Sequence, residues 1–317
     1  MIRLSLFVTF CFSVSIALNA QDTKLDGSLL SGFKFRSVGP ALTSGRVIDL
    51  AINPNNHHQW YIAAASGGVW KTDNAGNTFT PIFDGQGSYS IGCVEIDPGN
   101  EHVIWVVSGE NNNQRSVAYG DGIYKSLDGG KSWKNMGLKN SEHIGMIAID
   151  PRNSNTVYAA AYGPLWKEGG ERGLYKTTDG GKTWKLILDV SSYTGVSEVH
   201  LDPRNPEVIY ATAHQRMRHV FTYIGGGPES AIYKSTDGGK TFDKLGGGLP
   251  SGVDIGRIGM DVSPVNPDIL YAIVEAQYDK GGIYRSTNRG ASWKKMNKFS
   301  TSGNYYQEVI CDPKDED

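Results

Sequence analysis

A nine-residue phrase, KTTDGGKTW at residues 176–184, is stated five times along this chain. The other copies are KTDNAGNTF from Lys71, KSLDGGKSW from Lys125, KSTDGGKTF from Lys234 and RSTNRGASW from Arg285. Successive copies begin 54, 51, 58 and 51 residues apart. A fixed period in this range is the mark of a repeat architecture, in which each unit buries its apolar face only against its neighbours.

Each phrase reads as a hairpin. An extended arm such as Leu174-Tyr175-Lys176-Thr177 runs into Asp179-Gly180-Gly181, where the glycines supply the positive φ of a tight turn. The acid can accept backbone N–H groups of its own turn. Asp128, Asp179 and Asp237 are replaced by Asn74 and Asn288 in the first and last copies. An asparagine oxygen makes the same turn bond but cannot act as a general acid, so all five positions are expected to be structural. The closing rings, Phe79, Trp133, Trp184, Phe242 and Trp293, are expected to pack beneath the hairpins.

A second phrase recurs out of phase with the first: VIDLAINPNNHHQWYIA from Val47, CVEIDPGNEHVIWVV from Cys93, MIAIDPRNSNTVYAA from Met146, EVHLDPRNPEVIYAT from Glu198 and IGMDVSPVNPDILYAI from Ile258. Each reads as strand, proline turn, strand, with the proline where no ladder N–H is wanted. Two strands around this turn and two around the Asp-Gly-Gly turn make a four-stranded antiparallel unit, the blade of an all-β propeller. The count is five complete blades and the opening strand of a sixth, VICDP near the C-terminus. An unclosed ring leaves an unpaired edge, so the expectation is a truncated part of a longer propeller chain. The alternation over Phe33–Val38 reads as a strand fit to complete a final blade.

The first twenty residues, with Arg3 ahead of an apolar stretch and Ala20 at its end, read as a secretory signal peptide. The expected division is a signal over 1–20, a lead-in over 21–32 and the propeller over 33–317, in an exported chain, periplasmic or extracellular. No later stretch is long and apolar enough to span a bilayer as a helix. A net charge of −2 gives no reason to expect a nucleic-acid partner. Cys93 and Cys311 fall on inner strands of distant units and are expected to be two buried thiols rather than a disulfide.

Blade topology sorts turns from sites. The proline turn and the Asp-Gly-Gly turn share one face; the strand two-to-three links and the links between blades share the other. The latter vary in length and carry the chemistry, as binding loops on a rigid scaffold do. They make a mouth at which Arg46, Glu110, Arg115, His143, Trp166, Arg172, His214, Arg216 and Glu275 are the candidate ligand-binding residues. Glu110 and Glu275 are the candidate acid and base of a glycoside hydrolase, against the plainer reading of loop carboxylates salt-bridged to arginines such as Arg115 and Arg172. Tyr119, Trp166 and Tyr278 suit a sugar-stacking platform. His143, His214 and His219 have no zinc spacing. Glu110, Asn111, Asn112, Asn113 and Asp121 supply oxygens suited to calcium without a calcium-loop pattern. No cofactor or metal is expected.

The phrase S/T-x-D-x-G-x-T/S-W resembles the Asp-box, or BNR repeat, of sialidases, sortilin-type propellers and family 74 xyloglucan-cleaving hydrolases. The paired IDPRN…VYAA and YKTTDGGKTW phrases look most like the sortilin-type and family 74 propellers and like exported bacterial proteins similar to them. The resemblance covers nearly the whole mature chain. It implies the propeller fold and either of two functions: a binding module for a peptide, protein or glycan, with the sortilin-type precedent favouring a peptide or protein, or a hydrolase of extracellular polysaccharide. In the family 74 pattern a catalytic acid follows the second strand of the first blade. The matching segment here, Tyr61 to Trp70, places Ala65 at that position, so that acid is not carried over. The sialidase opening phrase is matched only by Phe35-Arg36. A docking disc for protein assembly is a third possibility.

Overall fold

The computed structural model describes residues 45–316 apart from 302 and 306, together with Ser28, Ser31 and Gly32. The expected signal, most of the lead-in and the expected strand Phe33–Val38 lie outside the described residues. Residues 45–316 belong to one compact unit, Ser44–Asp317.

The described residues form five four-stranded antiparallel sheets, the blades of a β-propeller. The first comprises β1 (Val47–Ile52), β2 (Trp60–Ala64), β3 (Gly68–Thr72) and β4 (Thr80–Pro81). The second holds β5 (Ile91–Ile96), β6 (Ile104–Ser108), β7 (Ile123–Ser126) and β8 (Lys134–Gly137). The third holds β9 (Ile144–Ile149), β10 (Val157–Ala161), β11 (Gly173–Thr177) and β12 (Lys185–Leu188). In the fourth, β13 (Thr194–Asp202) and β14 (Asn205–Gln215) pair with each other, and β14 pairs onward with β17 (Ala231–Ser235) and β18 (Asp243–Lys244). Between them β15 (Met217–Arg218) and β16 (Tyr223–Ile224) make a separate two-stranded ribbon. The fifth holds β19 (Ile255–Val262), β20 (Leu270–Ala276), β21 (Gly282–Ser286) and β22 (Lys294–Asn297).

Cores lie between consecutive sheets. Tyr61, Ala63 and Val69 of the first sheet pack on Ile91, Val94 and Ile104 of the second, and the same alternation places Tyr210 and Ile232 against Ile258 and Leu270 between the fourth and fifth. Strand alternation thus serves both faces of a blade, one facing the preceding unit and one the following. Residues 308–311 run beside β19, with the Cys311 N–H donating to Asp261 Oδ2 at 2.8 Å. They do not form the strand expected there, because no described segment pairs with them. Cys93 and Cys311 are free, buried thiols.

The repeated turns show why the phrase keeps its residues. Asp128 Oδ1 accepts the Ser132 N–H at 2.9 Å, its Oδ2 accepts the Ser132 hydroxyl at 2.6 Å, and the Ser126 hydroxyl donates to it at 2.7 Å. These bonds, the Ser132 hydroxyl first among them, hold the carboxyl well below the usual carboxylate range. At Asn74 one bond reverses: its Nδ2 donates to the Thr78 hydroxyl at 2.9 Å while its Oδ1 keeps the Thr78 N–H. The next residue is at positive φ in every copy, with φ 71° at Gly129 and 55° at Ala75. Its N–H binds the proline hairpin of its own blade, as Gly129 does to His102 O at 2.8 Å and Gly180 to Asn155 O at 3.0 Å.

The phrase also joins blades. Lys125, Lys176 and Lys234 lie opposite Trp105, Tyr158 and Tyr210 across their sheets, with Nζ 4.5, 5.1 and 5.4 Å from the ring centroids. Each also donates into the turn of the next blade, to Gly180 O at 3.3 Å, Gly238 O at 2.9 Å and Arg289 O at 2.7 Å. Two of the closing tryptophans reach backwards: Trp133 donates to Ile82 O at 2.8 Å and Trp184 to Met136 O at 2.9 Å. Phe79, expected beneath its hairpin, is 41% exposed. It closes the first turn, and no described blade precedes it to cover the ring.

Candidate functional site

The link from β6 to β7 is the longest excursion of the second blade, and it crosses the mouth. It starts at Gly109, whose positive φ of 89° and close approach to the Glu142 carbonyl admit no side chain. Ser90 anchors it: the Gly109 N–H donates to Ser90 O at 2.7 Å and the Glu110 N–H to Ser90 Oγ at 2.9 Å. The Glu110 carboxylate, almost wholly buried, pairs with the Arg46 guanidinium and accepts from Asn112 Nδ2. Behind it, His143 Nδ1 donates to Glu110 O at 2.9 Å. A carbonyl only accepts, so Nδ1 carries the proton and Nε2 is left as a buried acceptor without a partner. Burial first, then the charges of Arg216 and Arg172, hold His143 well below the ordinary imidazole range.

Further along, the link meets arginines from the fourth and fifth blades. Arg216 Nη1 donates to Asn112 O at 2.9 Å and to Asn113 Oδ1 at 2.6 Å, and its Nη2 to Gly163 O at 3.0 Å. Arg218 Nε donates to Asn113 O, and Arg257 Nη1 to Asn111 O at 2.8 Å and to Tyr305 O. Asn113 Nδ2 donates to Gly303 O at 2.8 Å and its N–H to Asn304 O at 3.0 Å. Arg216 is 0% exposed and its Cζ stands over Tyr162, 3.4 Å from the ring centroid. Burial pushes its guanidinium down to about 10. Carbonyl dipoles thus satisfy cations that would otherwise be costly to bury.

His214 belongs to this packed centre. Its Nε2 donates to Gly225 O at 3.0 Å, so its Nδ1 accepts from the Tyr162 hydroxyl. Burial is the chief cause of its shift down to about 3. Arg172 wraps the third blade's link, donating to Gly169 O at 2.8 Å, Lys167 O at 2.7 Å and Tyr162 O at 3.2 Å. Arg115 is exposed and reaches Val220 O at 3.2 Å. Trp166 is half-buried, and Arg46 stands 6.0 Å from the centroid of the exposed Tyr305 ring. Glu275 accepts the Arg257 N–H at 3.2 Å, and burial pushes its carboxyl up. His219 stacks on Phe221 at 5.7 Å and shares no metal-ligating cluster; among the described residues no three His, Cys, Asp or Glu side chains are placed to hold a metal ion.

The structure therefore brings Glu110, His143, Arg172, His214 and Arg216 together as a buried polar plug, with Arg46, Arg115, Trp166 and Glu275 around it. Seven exposed rings lie on links of the same face: Tyr89, Tyr119, Tyr193, Phe221, Tyr278, Phe299 and Tyr305. Of these, Tyr119 stands 5.7 Å from the His143 ring. Phe221 and Tyr278 are 86% and 82% exposed. Tyr89, Tyr193, Phe221 and Phe299 escaped the sequence reading. They stand on four different links, and only the sheet topology gathers them on one face.

Comparison with known proteins places the fold. The family model for "Sortilin, neurotensin receptor 3" matches residues 121–248. A probable oligoxyloglucan-reducing end-specific xyloglucanase of Neosartorya fischeri is 24% identical over 288 residues, covering 80% of this chain and 34% of that protein. A xyloglucanase of Hypocrea jecorina is 23% identical over 307 residues, covering 87% and 35%. The solved structure of an ancestral GH74 enzyme superposes with a TM-score of 0.61 at 23% identity, covering 85% of this chain and 33% of that one. The chain spans about a third of the length of these curated relatives.

Proposed function

We propose that this sortilin-like, GH74-like β-propeller is an exported binding module, with residues 1–20 as its signal, whose ligand is an extended glycan lying across the aromatic rim of the mouth. The observation that carries this reading is that seven exposed rings stand on the links of one face, whose centre is filled by the chain's own polar atoms. Sugar rings stack their apolar faces on such side chains, and tyrosine adds a polar tip. The names of the xyloglucan-cleaving relatives support a β-glucan of that class as the first ligand to try.

Binding is favoured over hydrolysis by the state of the carboxylates. Glycoside cleavage needs a pair flanking the scissile bond. Glu110 is buried and engaged by Arg46 and Asn112, and Ala65 is fully buried at the position where the family resemblance expects an acid. A peptide ligand is the second reading. It draws on the sortilin match and on the exposed apolar tip of the β15–β16 ribbon, Val220 and Phe221.

The test is calorimetric titration of the full chain with xyloglucan oligosaccharides, with reducing-end release followed in parallel. Saturable binding without new reducing ends, weakened about tenfold by Tyr119→Ala or Phe221→Ala, is expected. Release of reducing ends that Glu110→Gln or Glu275→Gln abolishes would replace this reading with a hydrolase. Binding of peptides alone would move the assignment to the second reading.

A further inference from the structure

Below the plug, the inner strands and residues 308–310 surround a cavity of about 230 Å³. None of the exposed rim rings lines it. Carboxylates of Asp49, Glu198, Asp261 and Glu308 face it, and Met146 and Met260 supply apolar wall between them. His200 stands between two of the acids, Nε2 3.4 Å from Glu198 and Nδ1 3.7 Å from Asp261. No lysine or arginine is among the described residues lining the space. Arg257 approaches from the plug: its Nη1 is spent on the Asn111 and Tyr305 carbonyls, its Nε and Nη2 are buried without a partner, and its charge acts on Glu308.

Three of these acids also brace the ring. Asp49 accepts the Val94 N–H at 2.9 Å, Glu198 the Met260 N–H at 2.9 Å and Asp261 the Cys311 N–H at 2.8 Å. A carboxylate has about four lone-pair sites, so bracing leaves acceptor capacity on each. Glu308 is reached by solvent yet crowded by protein. Burial pushes its carboxyl up, Arg257 opposes this, and the negative charges of Glu198 and Asp49 add to it.

A second observation stands apart from the acids. Asn111 forms part of the cavity wall, is only 5% exposed, and its Oδ1 has no hydrogen-bond partner. A buried acceptor with nothing to accept from is rare and costly.

We propose that the channel binds an alkylammonium ligand, a short aliphatic chain carrying a primary amine at one or both ends. An ammonium offers three donors and no acceptor, which matches the carboxylates of a lining that is otherwise largely apolar. The methylene chain matches the methionines between them. A bare metal ion fits less well, because no three His, Cys, Asp or Glu side chains among the described residues converge on one point. The volume equals that of about seven or eight waters, the heavy-atom count of a five- or six-carbon diamine. Two sources share this chemistry, a free diamine and the lysine side chain of a peptide. The site is independent of what the rim binds.

The experiment is calorimetric titration of the full 317-residue chain with 1,5-diaminopentane, 1-pentanol, Nα-acetyl-lysine amide and calcium chloride, at low and high salt. The expected result is saturable diamine binding that weakens with salt and no matching binding of pentanol. Asn111→Ala and Glu308→Gln should each lower diamine affinity about tenfold. Should either variant fail to unfold cooperatively, the wild-type contrast between diamine and pentanol decides alone. Tighter binding of the lysine amide identifies the peptide source, and diamine preference the free one. Equal binding of pentanol, unchanged affinity in both folded variants, or calcium binding without amine binding overturns the proposal.

Discussion

The ammonium of Lys176 lies 5.1 Å from the ring centroid of Tyr158, its partner across the sheet, and donates at 2.9 Å to the Gly238 carbonyl of the following blade. One side chain therefore stabilises its own sheet and fastens the next. Lys176→Met should lower stability by about 1–2 kcal/mol, while Lys182→Met, exposed in the same turn, should change it by less than about 0.5 kcal/mol. A double-mutant cycle with Tyr158→Leu, read by urea unfolding, should show a coupling of about 0.5–1 kcal/mol. Additive effects would mean that the ring contributes only apolar burial.

Ala75 occupies the left-handed region at φ 55°, where three of the other copies have glycine. A Cβ in that region costs roughly 1–2 kcal/mol, and glycine returns part of the gain through the freedom of the unfolded chain. Ala75→Gly should therefore raise stability by about 0.5–1 kcal/mol. A midpoint in urea unchanged or lowered relative to wild type would contradict the strain argument.

His143 and His214 are held neutral in the folded chain, His214 down to about 3. Their unfolded values lie near 6.5, so below that pH the unfolded chain binds more protons than the folded one. Stability from each is complete above about pH 6.5 and falls by about 1.4 kcal/mol per unit as pH drops toward the folded value. His214→Gln should flatten the fall between pH 6.5 and 4.5 by that slope. Proton NMR of the wild type should show no His214 titration between pH 8 and 5; a normal titration there would remove the premise.

Glu95 has the opposite sign. Burial, then the charges of Asp49 and Asp97, push its carboxyl up to about 8. Above the ordinary glutamate range the unfolded chain has lost this proton while the folded chain keeps it, so stability from this group declines as pH rises toward about 8. Glu95→Gln should therefore gain on wild type as pH rises from 5 to 8, by about 1.4 kcal/mol per unit. Parallel curves over that range would place the folded value elsewhere.

The blade was legible because its determinants are local. A proline turn, an Asp-Gly-Gly turn and two-residue alternation each specify a conformation within a few residues, and the repeat multiplied the signal fivefold. Topology then followed, including which links share a face. The state of the mouth was not legible. Whether Glu110 faces solvent or Arg46, and whether Arg216 meets a ligand or Asn113, depends on residues 64 and 103 positions away, and no local pattern carries that distance. The blade-joining role of Lys125, Lys176 and Lys234 lay between these extremes. The basic residue was visible in every copy of the phrase, but its acceptor belongs to the next unit.

The contacts that join one blade to the next have a direction. The lysine on one blade meets the turn carbonyl of its successor, and three carboxylates on inner strands meet the backbone N–H of the neighbouring segment further along the chain. Such an interface is head-to-tail rather than self-complementary. Its arithmetic is that of a polymer: in the second to fourth blades the lysine is a plug and the turn of the next blade its socket, and the rotation per unit sets how many complete a circle. Duplicating or deleting one of these three units leaves the lysine-to-turn junction chemically intact, whereas changing one lysine or one turn breaks it. For a gene, the number of units in such a ring is therefore the easy variable and the spelling of the phrase the constrained one.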